Sequence, residues 1–403
     1  MTTTWVRGPI GRGADRRITK VHERTVLVLV PHMAAGTRLL DFLPLIERDD
    51  RVQVVFTIPE TWETWYGIEE FTRGQGGLVL PWQQVLHHHF DLALAASRSS
   101  VDEVQAPVLW APHGAGGVRP RLCSPGAGAD AVPLHALDRQ ALMRDGRITV
   151  AALALTHDQE HEVLRRTCPE AWDRAHVVGD LCFDRMVASR PRRDAYRRAL
   201  GVAEQQELVV VSSTWWTDSV FGGPSRLYRR LLEELPANRY RVAAVLHPNA
   251  WAVHGRRQIR SWLADSVESG LLLLPPEEGW RAAMVAADIL IGDHGSTTRY
   301  GAALGLPTLL AAFPDEGIRP GGDADLLAQR CRRLELGGDL RAQLAEAAER
   351  WDRTVADALS AMLTARPGRS AELLRTLMYG LLDLAPPEHE AAIEPLPAPV
   401  PIT

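Results

Sequence analysis

Cysteine, lysine and long apolar runs are scarce in this chain, and each scarcity excludes something. Its four cysteines, Cys123, Cys168, Cys182 and Cys331, are scattered, with no CxxC pair and no disulfide framework. That pattern is expected of reduced thiols in a cytoplasmic protein. Lys20 is the only lysine, so arginine carries nearly all the positive charge; this is a habit of composition rather than a mark of function. The net charge of −5 gives no general affinity for nucleic acid or an anionic membrane. No apolar run approaches the length of a membrane span, and the first residues lack the apolar core of a signal peptide. The dinucleotide fingerprint GxGxxG is missing from the first strand-to-helix turn, and no short-period repeat occurs.

What is present, over 403 residues, is enough apolar sequence for two domains. Short apolar runs that end in small polar turns recur, and most of the turns open a helix. The pattern predicts parallel α/β units with right-handed crossovers. The runs 25–30, 52–57, 91–96, 107–111 and 148–155 read as strands of a first domain, and a basic helix over 191–200 closes it. The runs 208–212, 240–246, 271–274, 289–291 and 308–311 read as strands of a second. The expected organisation is an N-terminal arm over 1–24, Rossmann-like domains over 25–204 and 205–335, C-terminal helices over 336–385, and a disordered Pro/Glu/Ala-rich tail over 386–403. Within the C-terminal part, 340–363 reads as one long helix with Asp339 as N-cap.

The second domain's most informative stretch runs from Ala286 through Asp293, His294, Gly295, Ser296, Thr297 and Thr298 to Pro307. A buried strand ends in Gly-Ser-Thr-Thr and opens a helix, with Ser296 the expected N-cap and Gly295 the expected point of close backbone approach. The free N–H groups of a first helical turn, the helix dipole and the hydroxyls together suit an anion such as a phosphate. Two other strands end in Thr214-Trp215-Trp216 and in His247-Pro248-Asn249. In the first domain, a strand runs into Pro112-His113-Gly114 and the glycines that follow, where an imidazole has room to act as a base on a bound substrate. His32, after the first strand, is a ligand contact or a loop histidine. Trp62, Trp65 and Tyr66 line a pocket or pack under a loop. His87, His88 and His89 point in different directions on a helix, so they do not form one metal site; a helix C-terminus explains them.

The order of these turns resembles that in CDP-glycerol glycerophosphotransferases of teichoic-acid synthesis. His113-Gly114, Gly179 to Asp184, Ser213-Thr214-Trp215-Trp216, His247-Pro248 and Asp293-His294-Gly295-Ser296 with Pro307 follow that family's motifs over roughly residues 107–312. The resemblance implies a GT-B fold: two Rossmann-like domains facing each other across a cleft, closed by C-terminal helices. It also implies transfer of a glycosyl or polyol-phosphate group from a nucleotide-activated donor to a small-molecule acceptor. In that reading His113 is the base and His247 lies near the pyrophosphate. Ser296, Thr297 and Thr298 hold the donor phosphates, Thr214 and Trp215 lie on the nucleotide side, and Asp293 orients the turn. Gly114, Gly295 and His32 complete the candidate set. No cofactor or metal is expected, nor nucleic acid or membrane insertion; the partners are small-molecule substrates, and a homodimer is left open. Three departures weigh against polymer synthesis: Leu181-Cys182 stands for Pro-Arg in the second motif, Trp216 for an arginine in the third, and His294 for a tyrosine in the last. They favour a diverged member acting in a specialised biosynthetic pathway, or a repurposed cleft with another ligand or chemistry. The same turns resemble UDP-N-acetylglucosamine 2-epimerases more weakly, because Arg299 and Tyr300 stand where that family has carboxylates to move protons.

Overall fold

The structure, a computed structural model, describes residues 5–11, 13–16, 18–62, 64–115, 137–223, 226–314, 318 and 321–402. Cys123, Pro224 and the glycines at 116 and 117 lie outside the described residues. The chain divides into two compact units. Among the described residues, the first comprises 5–114, 137–184 and 364–394; the second comprises 115, 185–363 and 395–402.

The first unit alternates β1 (Arg24–Leu29), α1 (Met33–Leu40), β2 (Val52–Thr57), α2 (Ile68–Gly74), β3 (Val79–Leu80), α3 (Trp82–Val85), β4 (Leu92–Ala95) and β5 (Val108–Trp110). It continues with α4 (Arg139–Leu142), a two-strand hairpin of β6 (Met143–Arg144) and β7 (Arg147–Ile148), β8 (Ala152–Leu155), α5 (Asp158–Thr167), β9 (Ala175–Val177) and α6 (Leu181–Ala188). Seven strands form one parallel sheet in the order β3-β2-β1-β4-β5-β8-β9. Its strands are apolar on both faces because both are covered, as parallel sheets require. Val26, Val28, Leu92 and Leu94 face one core; Leu27, Leu29, Ala93 and Ala95 face the other.

The second unit holds α7 (Arg193–Ala199), β10 (Glu207–Ser213), α8 (Arg226–Glu234), β11 (Tyr240–Leu246), α9 (Pro248–His254), α10 (Arg256–Trp262), α11 (Ala264–Glu268) and β12 (Leu272–Leu273). Then follow α12 (Trp280–Ala286), β13 (Ile289–Gly292), α13 (Ser296–Ala303), β14 (Thr308–Leu310), α14 (Asp323–Arg330), β15 (Arg332–Arg333), α15 (Leu340–Glu349) and α16 (Arg353–Leu363). Its parallel sheet has the order β12-β11-β10-β13-β14-β15. Both sheets therefore start from a central strand, wind outward one way and then reverse. The reversal falls between β1 and β4 in the first unit and between β10 and β13 in the second. In open α/β sheets the crevice beyond such a switch point is where ligands bind.

Several expectations need correcting. Helix α7 was expected to close the first domain, but it belongs to the second unit. Arg193 and Arg197 reach Asp288 at 2.5 and 2.7 Å, and Asp288 also accepts the Leu208 N–H. The stretch 340–363 is two helices, because Asp352 takes the Thr354 N–H and hydroxyl and starts α16 afresh. The last helix, α17 (Ser370–Leu382), returns to the first unit, where Leu374, Met378, Tyr379 and Leu382 join the core over β1 and β4. The tail expected to be disordered is anchored at Leu396 and Ile402. Leu396 is 1% exposed, its N–H donates to Ser189 Oγ, its carbonyl accepts from Tyr196, and Ile402 bridges to Leu273. Trp62 and Tyr66 neither line a pocket nor pack under a loop: they are 86% and 81% exposed. The three described cysteines are buried and none forms a disulfide. Among the described residues, no helix is long and apolar enough to cross a membrane.

Candidate functional site

In the second unit the switch point is tied together by one carboxylate. β10 and β13 lie side by side, Val211 level with Ile291, and the turns that leave them meet at Asp293. Asp293 is fully buried; Oδ2 accepts from Thr214 N at 2.8 Å and Val220 N at 3.1 Å, and Oδ1 accepts from Gly295 N at 2.9 Å. Burial pushes its carboxyl up to about 6, Asp218 nearby adds to the rise, and the three backbone donors oppose it. The Thr298 hydroxyl, also fully buried, accepts the Asp293 N–H at 3.2 Å. Thr298 thus braces the turn from within and has no surface to offer a ligand.

The helix expected here starts one residue early. α13 begins at Ser296, and its N-cap is Gly295, which has no side chain to cap with. Ser296 is consequently not the cap. Its hydroxyl and that of Thr297 stand half-buried on the first helical turn, where N–H groups lack intrahelical partners. Gly295 is required by close approach: a Cβ there would lie 2.9 Å from Asp293 Oδ1 and 3.2 Å from Thr214 Cβ.

His247 follows β11 and caps α9. Its Nδ1 accepts the Asn249 N–H at 3.1 Å. An accepting Nδ1 carries no proton, so the neutral ring bears its proton on Nε2. Trp215 stacks on Trp216 with ring centroids 3.6 Å apart, and lies 6.2 Å from the His247 ring at an interplanar angle of 26°. The residue that replaces the resembled family's arginine is therefore part of a half-buried aromatic ladder.

Beside the first unit's switch point stands the opposite tautomer. His113 follows β5, is exposed, and its Nδ1 lies 2.8 Å from the Ala96 carbonyl at the end of β4. A carbonyl only accepts, so Nδ1 holds the proton and the neutral ring's lone pair is on Nε2. His32 caps α1 with Nδ1 accepting the Ala35 N–H at 3.1 Å, and its ring meets His113 edge to face, centroids 5.0 Å apart. It is buried, and it is a structural cap as well as a neighbour of His113. Gly114 is half-buried beside it.

Two residues outside the expected set position that turn. Arg38, on the buried face of α1, donates from Nε to the Pro112 carbonyl at 2.9 Å, and its guanidinium pairs with both oxygens of Asp180 at 2.9 and 3.0 Å. The ends of β1, β5 and β9 are fastened together by this one side chain. An arginine among the apolar residues of a helix stripe was the available signal. Gly179 sits at φ +87, and a Cβ there would come within 3.0 Å of the Arg366 carbonyl oxygen, so the second motif's glycine serves packing. Asp184 serves packing too: it takes the N–H groups of Gly368 and Ser370 at 2.8 and 3.1 Å and the Ser370 hydroxyl. Burial holds its carboxyl above the ordinary range against those donors. The candidate residues thus gather in two places, His32, His113 and Gly114 in the first unit, and Thr214, Trp215, His247, Asp293, Gly295, Ser296, Thr297 and Thr298 in the second.

With two such units in one chain, likeness to known proteins lies in structure. No protein-family model and no curated protein matches the sequence. The wall teichoic acid polymerase TagF, as an H444N variant soaked with CDPG, superposes with a TM-score of 0.62 at 12% identity over 92% of each chain. Its H548A variant gives 0.57 at 12% identity over 92% of this chain and 93% of its own. The chain has a GT-B fold. The UDP-GlcNAc 2-epimerase from Neisseria meningitidis, bound to UDP-GlcNAc, follows at 0.49, with 12% identity over 89% of this chain and 99% of its own.

Proposed function

We propose that this protein transfers a glycosyl or polyol-phosphate group from a nucleotide-activated donor to the hydroxyl of a small acceptor. The observation that carries the reading is that two strand-end histidines make Nδ1 contacts that select opposite tautomers. His113, with Nδ1–H held by Ala96, keeps a lone pair on Nε2; His247, with Nδ1 held by Asn249, keeps a proton on Nε2. A transferase needs both, a base for the acceptor and a donor for the charge on the leaving group.

In this reading the acceptor oxygen attacks the transferred group as its proton passes to His113 Nε2. The new bond to the acceptor oxygen forms as the bond to the nucleotide's phosphate oxygen breaks. The departing phosphates are met by His247 Nε2–H, by the hydroxyls of Ser296 and Thr297 and by the first-turn N–H groups of α13. Thr214 and Trp215 lie on the nucleotide side, with Asp293 holding their turn to that of Ser296. The fold shared with TagF supports the class of reaction; the donor and acceptor are open to experiment.

The test is a thermal-shift panel with CMP, CDP, UDP, GDP and their sugar and polyol conjugates, followed by turnover with the best binder. One conjugate should raise the melting temperature by mass action. Ser296→Ala and His247→Ala should lose that rise. His113→Ala should keep it and lose turnover by about 100-fold or more, the usual weight of a general base. A panel with no response, or a His113→Ala variant with undiminished turnover, would overturn the reading.

A further inference from the structure

Arg299 is among the largest fully buried side chains of the molecule, 1% exposed, three residues into α13. A guanidinium is rarely enclosed without a task. Here it is held from one side by Asp323, in the first turn of α14: Nη1 donates to Asp323 Oδ2 at 2.8 Å, and the other carboxylate oxygen accepts the Ala324 N–H at 2.8 Å. On the other side Nη2 donates to Ser296 Oγ at 3.1 Å. Among the described residues, its buried Nε has no hydrogen-bond partner. Were the arginine only a brace between α13 and α14, the ion pair would suffice, and it would be an expensive one. Replacing a buried pair by apolar residues is often neutral or stabilising.

We infer that Arg299 is a positioning residue that turns the Ser296 hydroxyl into an oriented donor for a ligand's phosphate oxygen, an inference that rests on the donor-site reading above. A serine oxygen that accepts from a guanidinium has that lone pair occupied and its electron density drawn toward the cation. Its own O–H is directed away from Arg299. Among the described residues, the acceptor it meets is the Ala115 carbonyl, at 3.4 Å, long for an O–H···O bond. A phosphate oxygen at about 2.6–2.8 Å is a far better partner for it. The positive charge at this helix start is therefore delivered from behind, through a serine, and it is fixed by Asp323 so that it need not reorganise when a ligand arrives. The ligand class that profits is a phosphate or diphosphate ester; a neutral ligand gains nothing from it.

The experiment compares the dissociation constants of a nucleoside 5′-diphosphate and its parent nucleoside by calorimetry, using the base that the thermal-shift panel selects. The proteins are the wild type, Ser296→Ala, Arg299→Lys, the double variant, and Arg299→Met with Asp323→Leu, which removes the ion pair together and keeps the volume. The wild type should prefer the diphosphate by 100-fold or more. Ser296→Ala, Arg299→Lys and the Met/Leu pair should each cut that preference about tenfold with nucleoside affinity unchanged. Ser296→Ala with Arg299→Lys should lose no more than either alone, because both act on one hydroxyl. A purely structural arginine would weaken diphosphate and nucleoside alike. An undiminished preference in the Met/Leu pair, or losses that add in the double variant, overturns the role of Arg299 and leaves the donor site standing. A wild type with no preference for the diphosphate overturns both.

Discussion

Asp293 is a fully buried acid whose neighbours are backbone N–H groups, and its titration is a direct probe of the turn it holds. An ordinary aspartate releases its proton near 3.8; this one, by burial, near 6. Between those values the native state keeps a proton that the unfolded chain has lost. The group's stabilising contribution is complete below 3.8 and disappears as pH rises through about 6. Two pKa units correspond to about 3 kcal/mol. Asp293→Asn should therefore gain on the wild type by about that amount between pH 4 and pH 7, on top of a constant loss from its altered hydrogen bonds. Urea unfolding of both proteins across that range checks it; parallel curves would show that Asp293 does not titrate there. At the same scale, Asp180→Ala takes the bidentate carboxylate from the buried Arg38, which should cost on the order of 3–5 kcal/mol. Calorimetric melting of Asp180→Ala tests that, and a drop of only a few tenths of a kcal/mol would mean that other groups hold the guanidinium.

At the scale of elements, α17 is the piece whose sequence position and structural position diverge most. It follows every strand of the second sheet, yet packs on the first. Its register is fixed at one end by Asp184 and along its length by Leu374, Met378 and Leu382. Leu374→Ala should destabilise the first unit by about 2–5 kcal/mol. Native-state hydrogen exchange should show the loss in β1 and β4 and leave β10 and β13 unchanged; a uniform loss would mean that the two units unfold as one. The strands were legible because unbroken apolar runs bounded by polar turns admit few other readings, and the strand-end histidines were legible for the same reason. Helices α2 and α14 were not, since neither carries a long apolar stripe: Ile68 and Phe71 alone anchor the apolar side of one, and Leu327 and Ala324 of the other. The break between α15 and α16 has no glycine or proline to mark it; the Asp352-Arg353-Thr354 cap is its sole signal. The tail misled by composition, because two isolated apolar residues, Leu396 and Ile402, anchor a segment that otherwise reads as disordered.

For the whole molecule, the boundary expected near residue 204 would cut the chain in the wrong place. The first unit leaves off at 184 and resumes at 364, so a fragment of residues 1–204 contains its sheet and lacks α17. Such a fragment should keep helical and strand content by far-ultraviolet circular dichroism, bind hydrophobic dyes and lose a cooperative melting transition. A peptide of residues 364–394 should restore the transition. A fragment that melts cooperatively unaided would show that α17 is dispensable. What sequence could not reveal at this scale is pairing over distance: Asp184 meets Ser370, Tyr379 donates to Asp49, and Arg24 reaches the Leu382 carbonyl, across separations of 186, 330 and 358 residues.

That arrangement also sets an order of events during synthesis. The sheet of the first unit is complete once β9 has been made, but the helix that covers Val26, Val28, Leu92 and Leu94 is encoded nearly two hundred residues later. At about 5–20 residues per second, the translating ribosome leaves that apolar face without its final cover for on the order of ten to forty seconds. A nascent chain of this protein should therefore be a client of hydrophobic-surface chaperones until α17 emerges.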